Sequence, residues 1–282
     1  MTQPHRGYRL LSALAVAAAR HDAALLRRRE RLRTLASHLL PQALNAQEAS
    51  DLTLRLYDAA PGMYASKTGL MDWERTWYER DLPPAPAHIL LGAAGSGREL
   101  AALLAGGYTV DAFEPVVAMA TACRAVAKGI EVLTCDYEEF CAAVLDGASG
   151  PAAVFAGRTY DAVILGWGSL TNVLRNEDRG RLFEAAAHVA QEGPILASFF
   201  LRSAATADRT PTRAAKAGAW LGRPLGRWRG IVPLNEPCGL FWHLGLTHLF
   251  APEEIAALAA AIGRTATCHT DGYGHATFQT QR

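Results

Sequence analysis

The strongest constraint on this chain is a rhythm that begins after a cluster of prolines. Pro83, Pro84 and Pro86 cannot sit inside a helix, so residues 81–86 read as a linker into a new unit. Beyond it, short apolar runs alternate with helical stretches. Strands are expected at 88–92, 108–113, 130–134, 160–165 and 194–200, and helices at 96–105, 115–127, 137–145 and 177–190. Such alternation calls for an α/β fold, a mostly parallel sheet covered by helices on both faces. The end of the chain departs from it. A helix at 253–262 stops at Gly263, and two strand-like runs then flank Asp271-Gly-Tyr-Gly, a hairpin signal. One strand should therefore run antiparallel. Residues 202–249 are too long for a plain connection and should form an insertion over the sheet's carboxyl edge.

Residues 1–80 read as a helical lid or appendage, leaving 81–282 as the sheet domain. Leu25, Leu32 and Leu39 recur every seven residues, with Arg27, Arg28, Arg29, Arg31 and Arg33 around them. Arg6 and Arg9 before Leu10–Ala19 imitate a secretory signal, but the helical pattern continues past it, so the first helix is the better reading. No run reaches the roughly 18 apolar residues of a membrane span, and no membrane partner is expected. With 28 Lys and Arg against 27 Asp and Glu, the net charge is +1, which gives no global attraction to nucleic acid. The basic excess is local, at 1–50 and 202–238. Five cysteines, an odd number without C-x-x-C spacing, read as free thiols in a reducing, cytoplasmic setting.

The chemistry lies at the strand ends. The first strand runs into Gly92-Ala93-Ala94-Gly95-Ser96-Gly97, a tight turn that lets a ligand approach backbone at a helix N-terminus. The second ends in Glu114-Pro115, where a carboxylate can accept both hydroxyls of a ribose. The third ends in Asp136-Tyr137, suited to an adenine amino group and ring. The fourth ends in Gly166-Trp167-Gly168-Ser169. Any one of these could be a cap or a turn. Four in succession point to a nucleoside-bearing cofactor.

In these residues the chain resembles the class I S-adenosylmethionine-dependent methyltransferases, over roughly residues 57–282. Gly95 and Gly97 match the last two glycines of the family's loop; Ala93 replaces the first, and Leu91 stands where an acid is usual. Glu114 matches the ribose-binding acid and Asp136 the adenine-side acid. The resemblance implies a Rossmann-like seven-stranded sheet in order 3-2-1-4-5-7-6 with strand 7 antiparallel. It also implies S-adenosylmethionine as cofactor, S-adenosylhomocysteine as product and methyl transfer as activity. NAD(P) would want a third glycine where Leu100 stands, which makes an oxidoreductase the weaker reading. A cofactor-binding protein without catalysis is another alternative.

The cofactor site is expected to include Ala93, Gly95, Gly97, Glu114, Pro115, Asp136, Tyr137, Gly166 and Trp167, with Tyr57 and Tyr64 from the lid. Trp73, Trp77, Trp242 and Arg202 are the substrate-side candidates. The base-methylating Asn-Pro-Pro-Tyr type of loop and an activated cysteine are both missing. That favours O-methylation of a small-molecule or peptide acceptor, with His243 or His248 as base; N-methylation is the alternative. His243, His248 and His275 lack the spacing of a metal motif, so no metal is expected. Self-association through the N-terminal helices is the further partner the sequence offers.

Overall fold

The computed structural model describes residues 6–59, 68–127, 129–202, 212–232, 234, 238–241, 244–270 and 273–280. The chain forms two compact units, Met1–Ala43 with Thr210–Pro233, and Leu44–Arg209 with Leu234–Arg282.

The larger unit opens with α2 (Ala46–Ala59) and α3 (Asp72–Asp81), followed by β1 (His88–Gly92), α4 (Arg98–Ala105) and β2 (Thr109–Phe113). Then come α5 (Val117–Val126), β3 (Val132–Leu133), α6 (Tyr137–Asp146), α7 (Ala153–Ala156) and β4 (Ala162–Leu165). The remainder is α8 (Asn176–Val189), β5 (Ile195–Phe199), a hairpin of β6 (Cys238–Phe241) and β7 (Gly245–His248), α10 (Pro252–Ala261), β8 (Arg264–His269) and β9 (Gly274–Thr280). Seven strands form one sheet in the order β3-β2-β1-β4-β5-β9-β8. β9 runs antiparallel between β5 and β8, pairing Ile195 with Phe278 and Ala266 with Phe278. In chain order within this sheet, β8 and β9 are the sixth and seventh strands, so the expected topology is present.

Each central strand is buried on both sides, which its unbroken apolar run already implied. Along β1 the side chains alternate. Leu90 joins Phe113, Phe140, Phe155 and Phe183 in one core, and Ile89 and Leu91 join Leu100, Val110 and Ile164 in the other. The final strands are fastened by Arg264. Its buried guanidinium donates to the carbonyls of Ala190, Gln191 and Gly193, at and just past the end of α8, where carbonyls lack helical partners.

The division does not fall at residue 80. α3 belongs with the sheet, because Trp77 and Tyr78 are buried in the second core. The Trp77 indole N–H also donates to Thr277 of β9 at 2.8 Å.

The smaller unit is a pair of helices, α1 (Arg6–Ala43) and α9 (Arg213–Trp228). Gly218, Gly222 and Gly226 recur every four residues along α9 and face α1. Side chains there would run into the carbonyl oxygens of Leu35, Leu39 and Gln42. The contacts advance in the same direction on both helices, so the two run parallel. The expected insertion at 202–249 is thus partly structured: α9 belongs to the helical unit and the β6–β7 hairpin to the sheet unit.

Candidate active site

β1 has β2 on one side and β4 on the other, so the strand order reverses at its carboxyl end, where open α/β sheets bind ligands. A cavity of about 1310 Å³ opens there. That exceeds the roughly 300–1,000 Å³ of a pocket for one drug-sized ligand and leaves room for two molecules.

The floor is made by close backbone approach. A side chain at Gly92 would meet the rings of Phe113 and Tyr137, and one at Gly166 would run into the carbonyl oxygens of Ala93 and Gly92. Gly166 does not line the cavity; its bareness lets β1 and β4 turn past each other. Gly97 is also off the wall, in left-handed conformation (φ 93°) at the N-cap of α4. Ala93 lines the cavity with φ 52°, the one described non-glycine residue at positive φ.

Glu114 is buried and lies on the cavity wall. It accepts the backbone N–H of Gly95 (2.8 Å) on one oxygen and that of Val116 (2.9 Å) on the other. Burial pushes its carboxyl up to about 7, with those two N–H groups pulling the other way. Each oxygen keeps a further acceptor site. Asp136 lines the cavity and also caps α6, exchanging hydrogen bonds with Glu139. Tyr137 sits edge-on to Phe113 and shares a 2.6 Å hydrogen bond with Ser169. Pro115, Val116, Met119, Cys141 and Ala142 continue this wall as an apolar surface suited to a flat ring. The Cys135 and Cys141 thiols are pushed up to about 12 by burial, which keeps them protonated and poorly nucleophilic.

Two residues on the wall were missed by the sequence reading. Arg98 and Glu99 follow directly on Gly97, in the first turn of α4, and that position was their signal. The Glu99 carboxylate is buried, accepting the Tyr78 hydroxyl at 2.5 Å and the Trp167 backbone N–H at 3.0 Å. Burial raises its pKa. Arg98 is clamped by both oxygens of Glu74 at 2.5 and 2.6 Å, and lies 5.7 Å over the Trp167 ring.

α2 supplies Tyr57 together with Thr53 and Leu54. The Tyr57 phenol bonds the Asn172 side chain and is pushed up to about 12 by burial. The remaining substrate candidates fall elsewhere. Trp73 and Trp77 stack on one another and meet the His275 ring at a tilt, off the wall. Arg202 is exposed and also off the wall. Tyr64, Trp242 and His243 lie outside the described residues.

His248 requires a correction. The β6–β7 hairpin turns its ring inward, where it is fully buried with Nε2 2.6 Å from Glu254 and its edge against Phe250. It does not reach the cavity, and no described histidine does. Among the described residues no three His, Cys, Asp or Glu side chains gather in a way that could hold a metal ion.

Solved structures resemble this arrangement. The sugar N-methyltransferase KedS8 from Streptoalloteichus superposes with a TM-score of 0.50 at 16% identity, covering 81% of this chain and 92% of its own. DhpI, solved with S-adenosylhomocysteine, gives 0.51 at 14%, covering 83% and 98%. The chain has the class I methyltransferase fold. A Rhodobacter sphaeroides protein provisionally described as a Zn-dependent alcohol dehydrogenase also matches, at 0.54 and 15% identity, over 82% and 98%. Identities this low speak to the fold alone. No protein-family model matches the chain, and no curated protein does. Within the methyltransferase fold, the cavity occupies the carboxyl edge, with Glu114 and Asp136 on adjacent strand ends.

Proposed function

We propose that this chain is an S-adenosylmethionine-dependent methyltransferase for a small polar acceptor. The observation that carries the reading is Glu114. A buried carboxylate with a spare acceptor site on each oxygen faces a cavity at the switch point, as recognition of a ribose diol requires. The apolar wall from Pro115 to Ala142 suits the adenine, with Asp136 beside it.

Glu99 and Arg98 suit the amino-acid end of the cofactor. Leu91 occupies the usual place of the acid, and Glu99 replaces it from the next helix. Its two remaining acceptor sites fit an ammonium group. Arg98, held in place by Glu74, offers the charge for a carboxylate. The cofactor supplies an activated methyl group on sulfur; the protein's task is to exclude water and align the acceptor.

For the acceptor, an amine is now the better reading. The sequence favoured O-methylation with a histidine base, but His248 is engaged with Glu254 and no described histidine lines the cavity. The outer wall carries Glu138, Asp146 and Asp178 instead, together with Arg175 and with Arg181, which is paired to Asp146 at 2.6 Å. The sheet unit as a whole holds 25 acidic residues against 15 Lys and Arg, a field that draws cations. KedS8, a sugar N-methyltransferase, is in keeping with this. O-methylation would rest on His243.

Calorimetry with S-adenosylhomocysteine and with NADH tests the cofactor reading. Binding of the first and not the second is expected; the reverse overturns it. Transfer of labelled methyl to a panel of small amines and matched alcohols tests the acceptor. Labelled ethers in place of labelled amines would restore the hydroxyl reading.

A further inference from the structure

The two arginine-rich segments of the sequence, 174 residues apart at Leu39 and Arg213, form one body in the helical unit. That unit holds 13 Lys and Arg against only Asp22 and Glu30, whereas the whole chain is nearly neutral. It also leaves large apolar side chains in solvent. Trp228 is 83% exposed, Trp220 74%, Leu14 60% and Leu32 53%, with Leu25, Leu221 and Leu225 also exposed.

All of these but Trp220 are sorted by side; Trp220 lies about 160° from the glycine row, beside Arg227, and Leu26, 64% exposed, lies on the back of α1. Successive helical residues are about 100° apart. On α1 the row facing α9 passes through Leu35, Leu39 and Gln42; Leu14, Leu25 and Leu32 lie about 60° clockwise from it, viewed from the N-terminus. On α9 the row facing α1 is the glycine row; Leu221, Leu225 and Trp228 lie about 95° anticlockwise. Because the helices run parallel, both rotations open to the same side of the pair. Arg28 and Arg29 bracket the leucine row of α1. Arg27, Lys216, Arg223 and Arg227 fall on the other side.

We propose that this helical pair docks on the surface of an anionic lipid bilayer through the face carrying Leu14, Leu25, Leu32, Leu221, Leu225 and Trp228. The apolar row enters the boundary between headgroups and acyl chains, and the flanking arginines meet lipid phosphates. Charge decides between occupants. A second copy would bring another unit of 13 Lys and Arg against two acids alongside this one, with its own Arg28 and Arg29 at the contact, whereas an anionic surface offsets that charge. A nucleic-acid backbone would match the charge but leave six apolar side chains in water. The unit lies on the bilayer rather than crossing it, since no described helix is long and apolar enough to span one.

The test is co-sedimentation of the full chain with phosphatidylcholine vesicles, with or without about one-third phosphatidylglycerol, at low salt and at about 1 M, where charge is screened. Binding should need the anionic lipid, fall with salt and shift tryptophan emission to the blue. The variant L221S/L225S/W228S, whose altered side chains are exposed, should bind roughly tenfold or more weakly. So should R28E/R29E, with circular dichroism as the check that both retain their helices. Equal binding to neutral vesicles, or binding that the apolar variant leaves unchanged, overturns the proposal. So does a stable dimer that dissociates in L221S/L225S/W228S without any vesicle binding, which would assign the face to a second copy.

Discussion

Ala93 holds a left-handed backbone, φ 52°, where related loops place glycine. An L side chain there is strained by about 1 kcal/mol relative to glycine. Ala93→Gly should therefore raise stability by about that amount, seen as a higher urea midpoint with unchanged slope. Glu114 makes two opposite demands on pH. Its carboxyl rises from an ordinary 4.5 to about 7 on folding. The protonated form is thus the one the fold favours. Its stabilising contribution is complete below about 4.5 and is lost as pH climbs through about 7. Ribose hydroxyls need the ionised form as acceptor. On the proposed cofactor reading, S-adenosylhomocysteine should bind roughly tenfold more tightly at pH 8 than at pH 6, while the unliganded protein melts lower. Glu114→Gln should flatten both profiles in calorimetry and thermal melts. Glu99 is tested by the part of the ligand it is proposed to hold. Glu99→Gln should lose roughly tenfold or more in affinity for S-adenosylhomocysteine. It should keep its affinity for 5′-methylthioadenosine, which lacks the amino-acid end. Equal losses for both would mean that Glu99 only secures the Trp167 turn.

At the scale of elements, the glycine row of α9 does the work that apolar side chains do in most helix pairs. Gly218, Gly222 and Gly226 bring the backbones together, so any Cβ at Gly226 must displace Gln42. Gly226→Ala should weaken the pair by about 1–3 kcal/mol, the usual range for an overpacked contact. Loss of helical circular dichroism at a lower temperature, with the remaining melt unchanged, would register it. Most of the sheet elements were legible because they depend on local pattern: the five-residue strands and the closing hairpin lie within two residues of where periodicity puts them. β3 is where it was expected but shorter, since only Val132 and Leu133 pair with β2 although five residues have strand character. Pairing at a sheet edge is set by what the neighbour offers. α3 was misplaced for a related reason. Its proline boundary is real, but Trp77 and Tyr78 find their partners across it, on β9 and α4.

At the scale of the molecule, the unit formed by Leu44–Arg209 and Leu234–Arg282 has cores on both faces of its sheet and contains the whole cavity wall. A variant lacking residues 1–43, with 210–233 replaced by a short glycine-serine linker, should fold cooperatively and retain the affinity of the full chain for S-adenosylhomocysteine. Removal of α2 as well should abolish that affinity, because Thr53, Leu54 and Tyr57 line the cavity. Failure of the first variant to bind, with its sheet intact by circular dichroism, would show that the helical unit is needed for the site.

What the sequence determined by itself was whatever repeats at short range. Strand and helix periods, the proline break and the Asp-Gly-Tyr-Gly turn specify an α/β sheet with a closing hairpin. Glu114 and Asp136 were legible because a strand end places its next residue at the sheet's edge whatever surrounds it. Tertiary structure alone decided which side chains turn toward the cavity. His248 sits in a run as suggestive as any, yet a hairpin rotates it onto Glu254. Glu99 looks like an ordinary helix-start acid until burial and Tyr78 convert it into a cavity group. The arginines of α1 and α9 read as two unrelated solvated faces. Only the glycine contacts between helices far apart in sequence set them side by side, because charge and burial depend on distances in space that no local pattern encodes.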